Sequence, residues 1–338
     1  QPFDIKRANE LYEKVFAPIV PYLDGVTHVM VVPEGPLTSI PFSVLVTSPP
    51  TEDIDALSDY RDVPWLVQDY ALTTLPSVSS LRALRVFSQR ADEQSVPFAG
   101  FGAPLFEGDT SGERGISLAS LFSRGAIADV DAVKKLSPLP ETADELRAIA
   151  TSLGAGESGI YLGTNATETQ VKSLDLSETG VVVFATHGLI SGDFEGIAEP
   201  SLALTPPQTG TALDDGLLTA SEVAQLSLYP GLVILSACNT ASSDGRQGAE
   251  GLSGLAKAFF YAGSQSLLVS HWEVPSEGAK RLTTGLFAAR DRDPAIGASE
   301  ALRRSMMVLI EDDDEPWMSH PMFWAPFVVV GEGARPQM

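Results

Sequence analysis

The sequence predicts an α/β fold built on a mostly parallel sheet that helices cover on both faces. Its most apolar segments are short and rich in Val, Ile and Leu, without the polar alternation of a strand that has one face in water. In the second half of the chain these segments alternate with helical patterns, as in parallel sheets with crossover helices. A chain of 338 residues with 44% hydrophobic and 20% charged residues can bury one large core.

The first part of the chain shows fewer regular elements. We predict, in order, a helix, two strands and a short helix over 6–22, 28–32, 71–75 and 79–87. Residues 89–135 are rich in Gly, Ser and Asp, which predicts loops. We therefore place a boundary in this stretch, between an N-terminal half, 1–135, and a second half, 136–338.

From residue 136 onward helices and strands alternate regularly. Three helix starts carry a Thr followed three residues later by Glu or Gln, the pattern of a capping box: Thr142 with Glu145, Thr167 with Gln170, and Thr219 with Glu222. Apolar residues at helical spacing predict two later helices, one from 252 to a stop at Gly263 and one over 295–308. Strands are predicted over 181–184, 232–235, 266–270 and 327–330.

Composition limits the classes of function. The single cysteine leaves no internal disulfide and no Cys-based metal site, and we expect neither a metal nor an organic cofactor. A net charge of −22 repels phosphate backbones and argues against direct nucleic-acid binding. Without a secretory signal or an apolar run of about 18 residues, we expect a cytoplasmic protein with no membrane partner. Because the sequence begins with Gln1, it could be a piece of a longer protein.

Two reactive side chains follow predicted strands. His187 comes shortly after the strand over 181–184, and Cys238 comes shortly after the strand over 232–235. The histidine precedes the cysteine by 51 residues, the order and spacing of a caspase-type dyad. Each residue alone is more often structural, but functional groups gather at the carboxyl ends of parallel strands, so we expect the two to meet. The pair predicts a cysteine peptidase with His187 as general base and acid and Cys238 as nucleophile.

Other residues near these strand ends are candidates for supporting roles. Gly188 can bring its backbone N–H close to an oxyanion, because glycine tolerates unusual backbone angles. His271 follows another strand and is the competing base, although packing beside Trp272 is favoured and this strand end could wall a substrate pocket. His28 and His320 are interpreted as structural.

A series of short motifs resembles the CHAT domain family, a caspase-like family of clan CD related to separases and often fused to tetratricopeptide repeats in bacteria. The matching segments span most of the chain, at 31–37, 40–45, 139–146, 184–188, 215–220, 235–240, 248–252, 258–263 and 320–325. The resemblance implies a caspase-like catalytic half, 136–338, packed against a pseudo-caspase-like half, 1–135. It also implies endopeptidase chemistry with His187 and Cys238 as the dyad, and backbone amides at Gly188 and Cys238 as oxyanion donors.

The same resemblance implies a protein substrate and a role in bacterial signalling or defence. Control is expected from an activating partner or a sensor domain outside this chain, such as helical repeats. Candidates for substrate binding are Asp214, Asp215, His271, Trp272, Glu273 and Glu277.

Two positions depart from the family pattern. Ala241 replaces a usual Gly, and Pro275 and Ser276 replace acidic residues that in related separases help to bind a basic side chain. The preferred substrate residue therefore stays open between a basic and a neutral side chain.

Two other functions remain open at this stage. A catalytically silent CHAT module could serve as a protein-interaction scaffold, although the intact dyad counts against it. A doubly wound hydrolase would act on small esters but would cleave no protein.

Overall fold

A mostly parallel β-sheet lies at the centre of the fold. The computed structural model describes residues 2–49, 54, 56–87, 96–108, 128–189, 199–237, 254–272 and 274–334. The strands within these ranges are β1 (His28–Val31), β2 (Ala71–Thr74), β3 (Val96–Gly102), β4 (Ile160–Leu162), β5 (Thr179–Ala185), β6 (Gly188–Leu189), β7 (Ser201–Ala203), β8 (Leu217–Thr219), β9 (Leu232–Ser236), β10 (Ser266–Ser270) and β11 (Phe327–Gly331).

Eight of the strands in these described ranges form one sheet in the order β1–β2–β11–β10–β9–β5–β3–β4. Every neighbouring pair is parallel except β10 with β11. The short strands β6, β7 and β8 form a separate antiparallel sheet that begins directly after His187. The predicted fold class, a mostly parallel sheet in an α/β protein, is confirmed.

Helices pack on both faces of the large sheet. The α-helices within the described ranges are α1 (Ile5–Val15), α2 (Leu66–Asp69), α3 (Val78–Phe87), α4 (Val130–Val133), α5 (Thr142–Ser152), α6 (Glu168–Ser173), α7 (Ala220–Val223), α8 (Gly254–Tyr261), α9 (Ser276–Arg292), α10 (Ala298–Ile310) and α11 (Pro321–Trp324). None of the helices in the described ranges is long and apolar enough to cross a membrane.

Alternate residues of β5 show how the two faces are covered. Val181 and Val183 pack in one apolar cluster with α5, α9 and α10. Val182 and Phe184 pack in a second cluster, which includes Phe259 of α8. Because both faces of this strand are buried, it carries no polar side, which is the pattern that predicted it.

Residues before 136 share the large sheet with residues after it. β2 lies between β1 and β11, whereas β3 lies between β4 and β5. The buried rings of Trp65 and Trp324 also meet edge-on, with 5.2 Å between their centroids. The division into two halves at residue 135 stays a prediction.

Strand β3 was not predicted from the sequence, and the expectation of loops over 89–135 is wrong over Val96–Gly102. This strand contains a proline and two glycines, which have low strand propensity. Its glycines instead allow a close approach of α5. A Cβ atom at Gly102 would lie 2.8 Å from Cδ1 of Leu146 and 3.2 Å from Oγ1 of Thr142.

Helix α9 was also missed, for a related reason. It is 17 residues long and contains Gly278 and Gly285, which weaken a helical pattern. A Cβ atom at Gly285 would lie 2.3 Å from Oγ of Ser305, so the glycine lets α9 and α10 pack closely.

The three predicted capping boxes differ in outcome. The box of Thr219 with Glu222 is confirmed, and the Thr167 side chain accepts a hydrogen bond from the Gln170 N–H as a helix cap. The box of Thr142 with Glu145 is wrong. Thr142 lies inside α5, and its hydroxyl accepts a hydrogen bond from the backbone N–H of Ala103, 2.7 Å away.

The close packing of α5 on β3 gives a testable expectation. Gly102→Ala should lower the free energy of unfolding by about 1–3 kcal/mol, because the new methyl group overpacks against Leu146. Gly156→Ala is the matched control, since its Cβ would meet nothing within 4 Å. Urea unfolding measures both, and equal losses in the two variants would contradict this account of the packing.

Candidate active site

The carboxyl ends of β5 and β9 lie side by side. In their parallel register Ala185 is opposite Ser236, which comes 51 residues later in the chain, and the same offset holds from Val181 and Leu232 onward. The offset equals the sequence separation of His187 and Cys238. His187 lies two residues beyond Ala185, whereas Cys238 lies outside the described residues, directly after Ala237.

His187 is buried, with 8% of its surface exposed. Its Nε2 lies 2.7 Å from the backbone carbonyl oxygen of Ser137. The centroid of its ring lies 5.5 Å from the centroid of the Phe106 ring. A carbonyl oxygen only accepts hydrogen bonds, so Nε2 carries the proton in the neutral ring. Nδ1 is therefore the nitrogen that can take up a proton. Sequence reasoning could not find Ser137, because it acts through its backbone.

The backbone of Gly188 is set by its pairing with β7. The His187 carbonyl accepts a hydrogen bond from the Ala203 N–H at 3.0 Å, and Gly188 stands opposite Leu202. Hydrogen-bonded and non-bonded pairs alternate along antiparallel strands, so Gly188 and Leu202 form a non-bonded pair. The N–H of Gly188 therefore points away from β7 and is not used by the small sheet.

A small cavity lies beside His187. Its volume is about 40 Å³, and its walls include Glu141, Glu145, His187, Ser236, Ala237 and Ser276. These residues come from the ends of β5 and β9, from the start of α5 and from the start of α9. The cavity thus brings His187 together with the residue that precedes Cys238.

The most unusual group in this cavity is the carboxyl of Glu145, which the sequence analysis treated only as a capping residue. The side chain is buried, with 5% exposed, and its Oε2 accepts a hydrogen bond from Oγ of Ser236 at 3.1 Å. Its Oε1 is buried without a hydrogen-bond partner among the described residues. Burial raises the pKa of Glu145 to about 7; the Ser236 hydrogen bond opposes this shift and the charge of Glu141 adds to it.

Glu141 lines the same cavity. It is half-buried at the N-cap of α5, and its Oε1 accepts a hydrogen bond from Oγ of Ser276 at 3.3 Å. Ser276 is one of the positions where the family pattern leads us to expect an acid. The serine therefore contacts an acid that another helix supplies.

The predicted substrate-binding acids lie in other contacts. Asp215 is buried and accepts hydrogen bonds from the backbone N–H groups of Ala128 and Leu217, at 2.6 and 3.1 Å. Asp214 accepts two hydrogen bonds from Thr169, and Glu277 pairs with Arg281 at 3.1 Å.

The remaining candidates lie at the end of β10. Glu273 lies outside the described residues. The rings of His271 and Trp272 lie 6.4 Å apart, and burial lowers the pKa of His271 to about 4, which keeps this imidazole neutral at pH 7. The small cavity is not lined by any of the described substrate-binding candidates, which are residues 214, 215, 271, 272 and 277. Their role in substrate binding stays a prediction.

The amino-acid sequence matches a known family over most of its length. A family model described as "CHAT domain" matches residues 6–332. Tetratricopeptide repeat protein 28 of Homo sapiens is 26% identical over 338 residues, which cover 91% of this chain and 12% of that protein. The protein of the same name from Mus musculus is 28% identical over 228 residues, which cover 59% of this chain and 9% of that protein. The chain thus spans a small part of the length of these curated relatives.

Two solved structures illustrate the likeness in backbone course. The Arg-specific cysteine proteinase gingipain R has a TM-score of 0.47 and 14% identity, covering 98% of this chain and 68% of that one. The separase–securin complex of Saccharomyces cerevisiae has a TM-score of 0.41 and 13% identity, covering 78% of this chain and 14% of the other. Both are likenesses of backbone shape, and neither identifies functional residues.

The buried carboxyl of Glu145 predicts a pH-dependent stability. The folded state holds its proton up to about pH 7, whereas an unfolded Glu loses it near its ordinary pKa of 4.5. The stability that this group contributes is fully present below pH 4.5 and is lost as the pH rises through 7. As the pH rises from 4.5 to 7, the free energy of unfolding of Glu145→Gln should increase relative to that of wild type by up to about 3 kcal/mol. This figure follows from about 1.4 kcal/mol for each unit of pKa shift. Urea unfolding at several pH values measures the difference, and a pH-independent difference would contradict the assignment.

Proposed function

The chain belongs to the CHAT domain family, and from this premise we propose that it is a cysteine endopeptidase with His187 and Cys238 as its catalytic dyad. The observation that carries the proposal is the register of β5 and β9. That register sets Ala185 opposite Ser236, and each proposed catalytic residue lies two positions beyond its strand's end.

Chain geometry limits how far Cys238 can lie from this point. Consecutive Cα atoms are about 3.8 Å apart, and neighbouring strands are about 4.8 Å apart. Ala237, the preceding residue, lines the same cavity as His187. A thiol carried by the next residue can therefore reach the imidazole after a modest rearrangement, which active sites without substrate commonly require.

The proposed reaction uses the tautomer that Ser137 sets. Nδ1 of His187 takes the thiol proton, and the thiolate attacks the carbonyl carbon of the scissile peptide bond. The resulting oxyanion accepts hydrogen bonds from the backbone N–H groups of Gly188 and Cys238. The C–N bond then breaks, His187 gives its proton to the leaving amine, and a thioester remains. His187 next removes a proton from water, whose attack releases the acid and restores the thiol.

We further propose that the substrate is a protein and that another domain or partner controls the site. The curated relatives are named for tetratricopeptide repeats and are far longer than this chain, which supports a helical-repeat sensor in that role. A cytoplasmic location and a part in bacterial signalling or defence stay predictions from the sequence.

The dyad predicts an activated thiol. At about pH 7, iodoacetamide should alkylate wild type at least about tenfold faster than His187→Ala, because a nearby imidazolium lowers a cysteine pKa from about 8.5 towards or below 7. Mass spectrometry gives a clear readout, since the chain has one cysteine. His271→Ala is the matched control and should react at the wild-type rate. Equal rates in wild type and His187→Ala would remove His187 from the dyad.

Cleavage distinguishes the peptidase from the silent scaffold. A mixed peptide library incubated with the full chain, with and without proteins encoded beside it, should yield new termini that are absent with Cys238→Ala. A reactive thiol with no cleavage under any of these conditions would favour the scaffold. Turnover of small esters without peptide cleavage would instead favour the small-molecule hydrolase.

A further inference from the structure

We propose that the small cavity beside His187 is an acidic pocket for the cationic end of a Lys or Arg side chain, with Glu145 and Glu141 in its walls. The inference rests on the proposed function, because it assigns the cavity to the substrate residue that carries the attacked carbonyl. Glu277 was predicted as a substrate-binding acid, but its carboxylate is paired with Arg281. Among the described residues we therefore assign Glu145 and Glu141, and not Glu277, as the acids of this pocket.

The first argument is the unmatched acceptor of Glu145. An ionised carboxylate away from water is costly unless a cation and hydrogen bonds compensate it. Glu145 is 5% exposed, and within the described part of the chain one of its two oxygens accepts a hydrogen bond, from Ser236. Among the described residues no basic side chain forms an ion pair with it, and its Oε1 has no donor. The site therefore holds an acceptor that a guanidinium or ammonium group from outside the chain would satisfy.

The second argument is the size of the cavity. Its volume of about 40 Å³ corresponds to about three water molecules, at about 10–15 Å³ for each. This space suits the end of one long side chain and excludes a whole small-molecule ligand. An ammonium or guanidinium group in this space could donate hydrogen bonds to the carboxylate oxygens in its walls.

The third argument is where the cavity lies. Its walls include His187 and Ala237, and the latter directly precedes the proposed nucleophile. A side chain in this cavity belongs to a residue next to the bond under attack. Ser276, which stands where an acid is expected, donates its hydroxyl hydrogen to Glu141. Acids from α5 thus take the place of the acids missing at 275 and 276.

The charges around Glu145 set the direction of the pH dependence. The groups that face it are the carboxyl of Glu141, the imidazole of His187 and the hydroxyl of Ser236. Cation binding needs Glu145 in its ionised form, whose fraction falls as the pH drops below about 7. Binding of a cation therefore becomes stronger as the pH rises through this range.

Agmatine, the decarboxylated form of arginine, tests the pocket without catalysis. Titration calorimetry on full-length Cys238→Ala should show agmatine binding at about pH 8. The neutral analogue N-butylurea carries neither the guanidinium nor the ammonium charge of agmatine and should bind at least about tenfold more weakly, as expected for the loss of about 1.4 kcal/mol or more of charge-assisted hydrogen bonding. Agmatine binding should also weaken by about tenfold at about pH 6, because the ionised fraction of Glu145 falls by that factor for each unit below its pKa.

Variants assign this binding to the two acids. Glu145→Gln should abolish the preference for agmatine over the urea, and Glu141→Gln should reduce it. Glu157→Gln changes an exposed carboxylate outside the cavity and is the matched control that should retain the preference. Equal binding of agmatine and the urea to the Cys238→Ala chain would overturn the inference without any Glu145 variant, so a variant that fails to fold cannot obscure the result.

Peptides separate failure of the pocket from failure of the proposed function. Wild type should cleave peptides with Arg before the scissile bond in preference to the same peptides with the neutral isostere citrulline. Cleavage that depends on Cys238 but ignores this change would overturn the pocket and leave the peptidase intact. Agmatine binding that depends on Glu145, with no peptide cleavage under any condition, would support the pocket and overturn the proposed function.

Discussion

The parallel pairing of β5 with β9 is the constraint on which the candidate site depends. It joins strand positions 51 residues apart and buries both strands between helices on the two faces of the sheet. A slip by one residue would exchange the side chains that pack in the two apolar clusters, and the close packing of both clusters opposes this exchange. The register in turn aligns the ends of the two strands, with Ala185 opposite Ser236. In this way the packing of apolar side chains on β5 and β9 determines where the two strands end, and our proposal places the catalytic dyad directly beyond those ends.

A second constraint brings α5 to the same edge of the sheet. Gly102 in β3 leaves no room for a side chain, and the Thr142 hydroxyl bonds to the backbone just beyond that strand. This close contact fixes where the first turns of α5 lie, and with them the carboxyl of Glu145. The same fold that holds His187 against the Ser137 carbonyl therefore also holds a buried acid beside it. Such an arrangement destabilises the folded state above neutral pH, which is the kind of local cost that binding sites often carry.

The sequence predicted those parts of the fold that follow simple patterns. Strands such as β5 and β9 are short runs of Val, Ile and Leu, and the box of Thr219 with Glu222 is a local signal that the structure confirms. Strand β3 and helix α9 escaped prediction, because their glycines serve contacts with elements distant in the chain. The burial of Glu145 beside His187 could not be predicted for a similar reason. In the sequence Glu145 fits a capping box. Its side chain lines the cavity only because α5 packs against the sheet.

The most direct measurement of the central claim is whether positions 187 and 238 are neighbours. His187→Cys adds a second cysteine to a chain that has one, and a disulfide needs Cα atoms about 4.4–6.8 Å apart. On mild oxidation of the folded variant, the account predicts an intramolecular disulfide between position 187 and Cys238, detected as one linked peptide pair by mass spectrometry. Two thiols that both react with iodoacetamide but never form this disulfide would contradict the account.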